Sequence, residues 1–186
     1  DVKVIAISDV SGGLFCKDGL DIDAISVFLE TEGALLKDYS APGVSHISNE
    51  DVLTCDCDVL VPAALENQIT ADNAGKLNCR YIVEAANGPT TEEADAILEH
   101  RGITLIPDIF ANSGGVIVSY FEWVQNIQEL TWDRDQVNEM LEKLMSKSFQ
   151  SLLDAADECH CSYRMAAYIV ALRKLVTAEK MKGIFP

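Results

Sequence analysis

Positive charge is scarce in this chain, where 14 Lys and Arg stand against 30 Asp and Glu and leave a formal net charge of −16. An excess of that sign repels phosphate backbones and anionic lipid, which weighs against nucleic acid or a membrane surface as partner. The acids are scattered over helix faces, as at Glu92-Glu93 and Asp133 to Asp135, and read as a solvated surface. Long apolar runs are also missing; Val59 to Leu65 is among the longest, far short of a membrane span. No charged segment leads into an apolar stretch, so no signal peptide is visible. None of the six cysteines forms a Cys-x-x-Cys pair. Cys159-His160-Cys161 lacks the second ligand pair of a structural zinc site, so no metal site is assigned. Reduced thiols and a cytoplasmic location follow as the expectation. Also absent is any G-x-G-x-x-G, the glycine fingerprint of the first turn in a dinucleotide-binding sheet.

What is present alternates between short apolar runs and helical patterns. Val2 to Ser8 reads as a strand already under way, so the chain is expected to be a piece of a longer protein. Further strands are expected at Asp58 to Pro62, Tyr81 to Ala85 and Ile103 to Ile106. Helices are expected at Asp21 to Glu32, Ser48 to Cys55 and Thr70 to Leu77. Thr90-Thr91-Glu92-Glu93 has capping-box spacing and opens another, ending near Gly102. Buried runs without polar alternation, separated by helices, predict a parallel doubly wound sheet of Rossmann type. After Gly114-Gly115 only helices follow, one opened by Asp133 and running to about Glu158. The last, Ser162 to Lys182, carries Met165, Ile169, Leu172 and Val176 on one side. The expected division is an incomplete α/β unit, 1–130, its first βα unit missing, and a helical tail, 131–186.

The stretch Asp108 to Trp123 is the most informative. It places Asn112-Ser113-Gly114-Gly115 between the strand Ile103 to Ile106 and a long helical run. Helix-start amides and close-approach glycines make such a turn a nucleotide site, although a glycine pair also serves an ordinary turn. Val116, Tyr120, Trp123 and Ile127 fall at helical spacing as an apolar stripe, predicted to face inward, and Ser119 lies on it. A hydroxyl there either bonds the carbonyl one turn back or points into a pocket holding a polar ligand.

Here the chain resembles the glutamate dehydrogenases, within the Glu/Leu/Phe/Val amino-acid dehydrogenases. The words that carry the resemblance are Pro62-Ala63-Ala64-Leu65-Glu66-Asn67, Glu84-Ala85-Ala86-Asn87-Gly88-Pro89-Thr90 and Pro107 to Val116, continued by Val118 to Asn126. They keep the family's order across half the chain. The resemblance implies the cofactor side of an enzyme catalysing reversible oxidative deamination of L-glutamate to 2-oxoglutarate and ammonium. It implies NAD as cofactor, with NADP possible, and a homo-oligomer, hexameric in the family, assembled through a preceding domain. The family's catalytic lysines and aspartate belong to that preceding domain, so no catalytic residue is assigned here.

Ala63, Ala64, Asn87 and Asn112 each follow an apolar strand, so their loops are expected to share one edge of the sheet. Amides that donate and accept suit ribose hydroxyls and a carboxamide, although Asn87 before Gly88-Pro89 also suits a left-handed turn. By the resemblance these positions contact the cofactor, Ser119 meets the substrate side-chain carboxylate, and Val116 lies beside it. Asp9 ends the first strand and can accept from a ribose 2′-hydroxyl; with the neutral Ser11 beside it and no Lys or Arg before Cys16, NAD is favoured. A Leu, Phe or Val dehydrogenase and a non-catalytic nucleotide-binding module are the alternatives.

Overall fold

The computed structural model describes residues 2–183. Three strands form the expected parallel sheet: β4 (Val59–Leu60), β5 (Tyr81–Val83) and β6 (Thr104–Ile106), with β5 in the centre. Val59 pairs with Tyr81, and Tyr81 with Thr104, so all three strands end on one edge. The crossovers carry α3 (Ala71–Ala74) and α4 (Glu92–His100). These two helices pack on each other, and Leu60, Ile69, Ala74, Leu77, Ile82, Ala94 and Leu98 make one core between helices and strands. Thr91, not Thr90, caps α4 by accepting from the Ala94 amide. Thr90 instead bridges to Ile69 beside the core, where its hydroxyl is buried without a partner among the described residues.

The first strand departs from expectation. β1 (Ala6–Asp9) turns back at Val10-Ser11 into β2 (Gly12–Phe15), and β3 (Ser45–Ile47) completes an antiparallel sheet. The turn is closed by Asp9, whose carboxylate accepts from the Ser11 amide at 2.7 Å, the side-chain bond that favours Asp at such corners. Gly13 is required by packing: a Cβ there would collide with the Val52 side chain of α2 (Asn49–Thr54). Leu14, Cys16, Leu20, Ile25 and Leu36 form a second core under this sheet, closed by α1 (Ile22–Leu29).

From β6 the chain enters a one-turn helix, α5 (Asp108–Ala111), before α6 (Gly114–Gln128), α7 (Arg134–Cys159) and α8 (Tyr163–Lys182). Gly114 and Gly115 lie within the first turn of α6 with ordinary φ, so neither serves as a left-handed hinge. The stripe predicted to face inward faces outward: Val116 is 74% and Trp123 57% exposed, and Tyr120 and Ile127 are exposed too. The packed face is Ile117, Phe121 and Val124, with Phe121 edge-on to Trp132. α6 is apolar on two faces, and periodicity alone does not say which one meets α7. The same holds for α8, where Met165, Leu172 and Val176 are exposed. Ala166, Ala167 and Val170 face Leu152, Ala155 and Ala156 of α7 instead, small residues that let the helices approach. Cys159 and Cys161 flank His160, whose left-handed φ of 51° makes the α7–α8 turn; Cys159 is exposed and Cys161 half-buried. No helix among the described residues is long and apolar enough to cross a membrane.

Candidate functional site

The parallel register brings the loops after β4, β5 and β6 to one edge, where they meet the first turn of α6. Between them lies a cleft of about 540 Å³ lined by Ala64, Ala85, Ala86, Asn87, Asn112, Gly115, Val116 and Ser119. Five residues singled out from sequence, Ala64, Asn87, Asn112, Val116 and Ser119, therefore share one wall. Ala63 is exposed on the same loop but does not line the cleft. Asp9 and Ser11 lie elsewhere, in the β1–β2 turn.

The cleft's polar groups are fixed by bonds between loops. Asn112 Nδ2 donates to Asn87 Oδ1 at 2.7 Å and to the Ala85 carbonyl at 3.3 Å, which uses both of its N–H groups. The Asn87 NH₂ and the Asn112 carbonyl oxygen stay uncommitted among the described residues. Together they present a donor beside an acceptor, the complement of a carboxamide or of vicinal hydroxyls. Asn87 is not the left-handed residue of its turn; Gly88 takes that role at φ 55°. The Asn87 side chain is thus free of turn-making duty.

No side chain caps the α6 N-terminus. Ser113 Oγ donates instead to the Phe110 carbonyl at 2.7 Å. First-turn amides without a side-chain acceptor are suited to an anionic or polar ligand. Gly115 keeps the wall low there, since a Cβ would meet nothing within 4 Å and would project into free space. Ser119 lies one turn further along, exposed, and its hydroxyl makes no bond to the helix backbone among the described residues. Ser119 is among the residues that line the cleft.

The Asp9 carboxylate is heavily engaged. It accepts from the Ser11 amide, from Ser11 Oγ at 2.5 Å and from the Leu36 amide at 2.9 Å. Burial disfavours its charge, but these donors outweigh burial and hold the carboxyl below its ordinary value. Ser11 Oγ in turn accepts from the Lys37 amide at 3.1 Å. The pair organises the hairpin against the turn at Leu36–Asp38, and only the remaining lone pairs of Asp9 are open to a ligand.

Sequence reading missed the charged group behind the cleft. Glu84, at the end of β5, is wholly buried, and Arg164 of α8 grips it with two bonds of 2.7 and 3.0 Å. The same guanidinium bonds both carboxylate oxygens of Asp95 and reaches Asp108 at 3.4 Å. The partners stand 56, 69 and 80 residues from Arg164 in sequence, with no local pattern joining them. The one available signal was an acid, Glu84, closing an otherwise apolar strand, since a buried charge demands a partner.

The family model for the Glutamate/Leucine/Phenylalanine/Valine dehydrogenases matches residues 1–183. The cryptic catabolic NAD-specific glutamate dehydrogenase of Bacillus subtilis is 46% identical over 97% of this chain and 42% of its own length. The NADP-specific glutamate dehydrogenase A1 of Halobacterium salinarum is 46% identical over 98% of this chain and 44% of its own. The hetero-hexameric glutamate dehydrogenase of Thermus thermophilus, in a Leu-bound form, superposes with a TM-score of 0.87 at 30% identity, covering 99% of this chain and 42% of that one. The chain spans less than half the length of the curated relatives that it matches. By its sequence over nearly every residue and by its fold, the chain belongs to the Glutamate/Leucine/Phenylalanine/Valine dehydrogenase family.

Proposed function

We propose that this chain forms the cofactor side of a glutamate dehydrogenase, an NAD(P)-dependent enzyme that interconverts L-glutamate with 2-oxoglutarate and ammonium. The observation that carries the reading is the Asn87–Asn112 pair, whose free donor and acceptor open on the cleft beside the uncapped start of α6. A nicotinamide dinucleotide bound there supplies the hydride acceptor. The chain's own residues bind and orient. Asn87 and Asn112 hold the nicotinamide half, the first-turn amides and Gly115 allow close approach, and Ala63 and Ala64 line the neighbouring loop. Asp9 and Ser11 meet the adenosine ribose with what bonding capacity they retain. Ser119, with Val116 beside it, donates to the substrate's side-chain carboxylate. Proton transfer is left to residues outside this chain.

Glutamate as substrate is supported by the names of the relatives at 46% identity, and by a hydroxyl at position 119 that an apolar side chain would leave unpaired. NAD is favoured over NADP by Asp9, although relatives of either specificity are equally similar. We further propose a homo-oligomer built through a preceding domain, as the family resemblance implies; the Thermus thermophilus relative is itself a hetero-hexamer. Six free thiols fit a cytoplasmic setting, and a boundary near residue 130 separates the α/β unit from the helical tail. The test is a glutamate-dependent rise in NADH absorbance by the protein carrying this chain, run beside leucine, phenylalanine and valine, with NADH binding measured separately. Faster turnover of any apolar amino acid rejects the substrate. Failure to bind either dinucleotide rejects the site.

A further inference from the structure

Arg164 sits on the first turn of α8, outside the cleft, yet two of the three acids it bonds are tied to backbone near it. Its guanidinium joins three acids: Glu84 at the end of β5, Asp95 on α4 and Asp108 at the start of α5. Two of those acids grip the backbone next to the cleft asparagines. Glu84 Oε2 accepts from the Asp108 amide at 2.9 Å, and Asp108 Oδ2 accepts from the Gly88 amide at 2.8 Å. The loop that carries Asn87 and the helical turn that leads to Asn112 are thus tied to one cation. Without that cation, three carboxylates would face one another around the wholly buried Glu84. Glu84 and Asp95 hold the guanidinium charged, against burial, above its ordinary range. Fork-to-fork pairing fixes direction as well as distance, which a point charge would not do.

We propose that Arg164 is a positioning residue that sets the spacing of Asn87 and Asn112, so that α8 of the helical tail fixes the nicotinamide half of the site. The inference rests on reading the cleft as a dinucleotide site. It separates that half from the Asp9–Ser11 turn, which shares no bond with this network among the described residues. The experiment compares Arg164→Met and Arg164→Lys with the parent in the full protein, using NADH and ADP-ribose as probes, the latter lacking nicotinamide.

Arg164→Met is expected to weaken NADH by about tenfold and to lower kcat by about 10–100-fold, as expected of a displaced positioning group. ADP-ribose affinity and the KM for glutamate should stay within about twofold of the parent. Arg164→Lys, which keeps the charge and loses the fork, should fall between the two. Equal loss of both probes would mean a general folding role and overturns the proposal. So does NADH binding and turnover like the parent's. Should the Met variant fail to fold, the Lys variant decides by the same split between probes. A parent that binds neither probe points instead to failure of the dinucleotide reading itself.

Discussion

Asn112 Nδ2 donates to Asn87 Oδ1 at 2.7 Å across 25 residues of sequence, joining the loop after β5 to the turn before α6. The bond spends the acceptor of one amide and, with Ala85, the donors of the other. What remains free among the described residues is one NH₂ and one carbonyl oxygen, on two residues that line the same cleft. Neither asparagine alone could offer that pair at fixed separation.

The first prediction concerns this pair. Replacing either residue by Ala removes its own ligand bond and releases the partner's orientation. Each single variant should lose about 1–3 kcal/mol of NADH binding. The double variant should lose clearly less than the sum, because the two act as one unit. Titration of NADH fluorescence reads all three. Additive losses would mean two independent contacts, and no loss would mean that the amides only shape their loops.

The second concerns Asp9. Burial raises its carboxyl, but the Leu36 amide and the Ser11 hydroxyl and amide, brought to it by the fold, hold it below its ordinary value. A depressed folded value means a stabilisation that is complete above the ordinary carboxylate range, near pH 3.8, and lost as pH falls through the folded value. Asp9→Asn should therefore reduce stability at neutral pH and narrow its gap to the parent as the medium is acidified. Urea midpoints across the acid range check this; a gap that stays constant would show that charge plays no part.

Several helices were legible because each announces its own start. Asp21, Ser48, Asp133 and Ser162 cap the helices where the sequence places them. The loops carrying Ala64, Asn87 and Asn112 share an edge because parallel strands require it. The antiparallel hairpin was not legible, since Gly12 and Gly13 give β2 no strand-like alternation. Its other partner, β3, lies more than a helix away in sequence. The inward face of α6 was misjudged because Val116, Tyr120 and Trp123 are as apolar as Ile117, Phe121 and Val124. Arg164 escaped notice because its acids are local to nothing but the folded chain.

The third prediction is chemical. Burial, and then the neighbouring Cys55 and Cys79, push the Cys57 thiol up to about 12. Against its ordinary value of 9.0, that leaves far less thiolate at pH 8, and the thiolate is the species that reacts. Alkylation followed by peptide mapping should label the exposed Cys159 well before Cys57 in the native protein, and both together after unfolding. Early labelling of Cys57 would contradict the packing around it.

The last prediction separates glutamate from its rivals. Ser119 shares the cleft wall with Asn87 and Asn112, one helical turn beyond Gly115, and its hydroxyl has no bond to its own helix among the described residues. A substrate whose α-carbon faces the nicotinamide would extend its side chain toward this turn. A carboxylate there accepts from the hydroxyl, whereas an aliphatic side chain leaves the hydroxyl stranded. In the full protein, Ser119→Ala should lower kcat/KM for glutamate by about 1.5–3 kcal/mol, the worth of one hydrogen bond to a charge. NADH affinity should hardly move, and the disadvantage of leucine relative to glutamate should shrink. Steady-state kinetics with both amino acids, alongside NADH titration, measures all of this. Glutamate kinetics equal to the parent's would remove Ser119 from the substrate site, and a parallel loss of NADH binding would place its role with the cofactor instead.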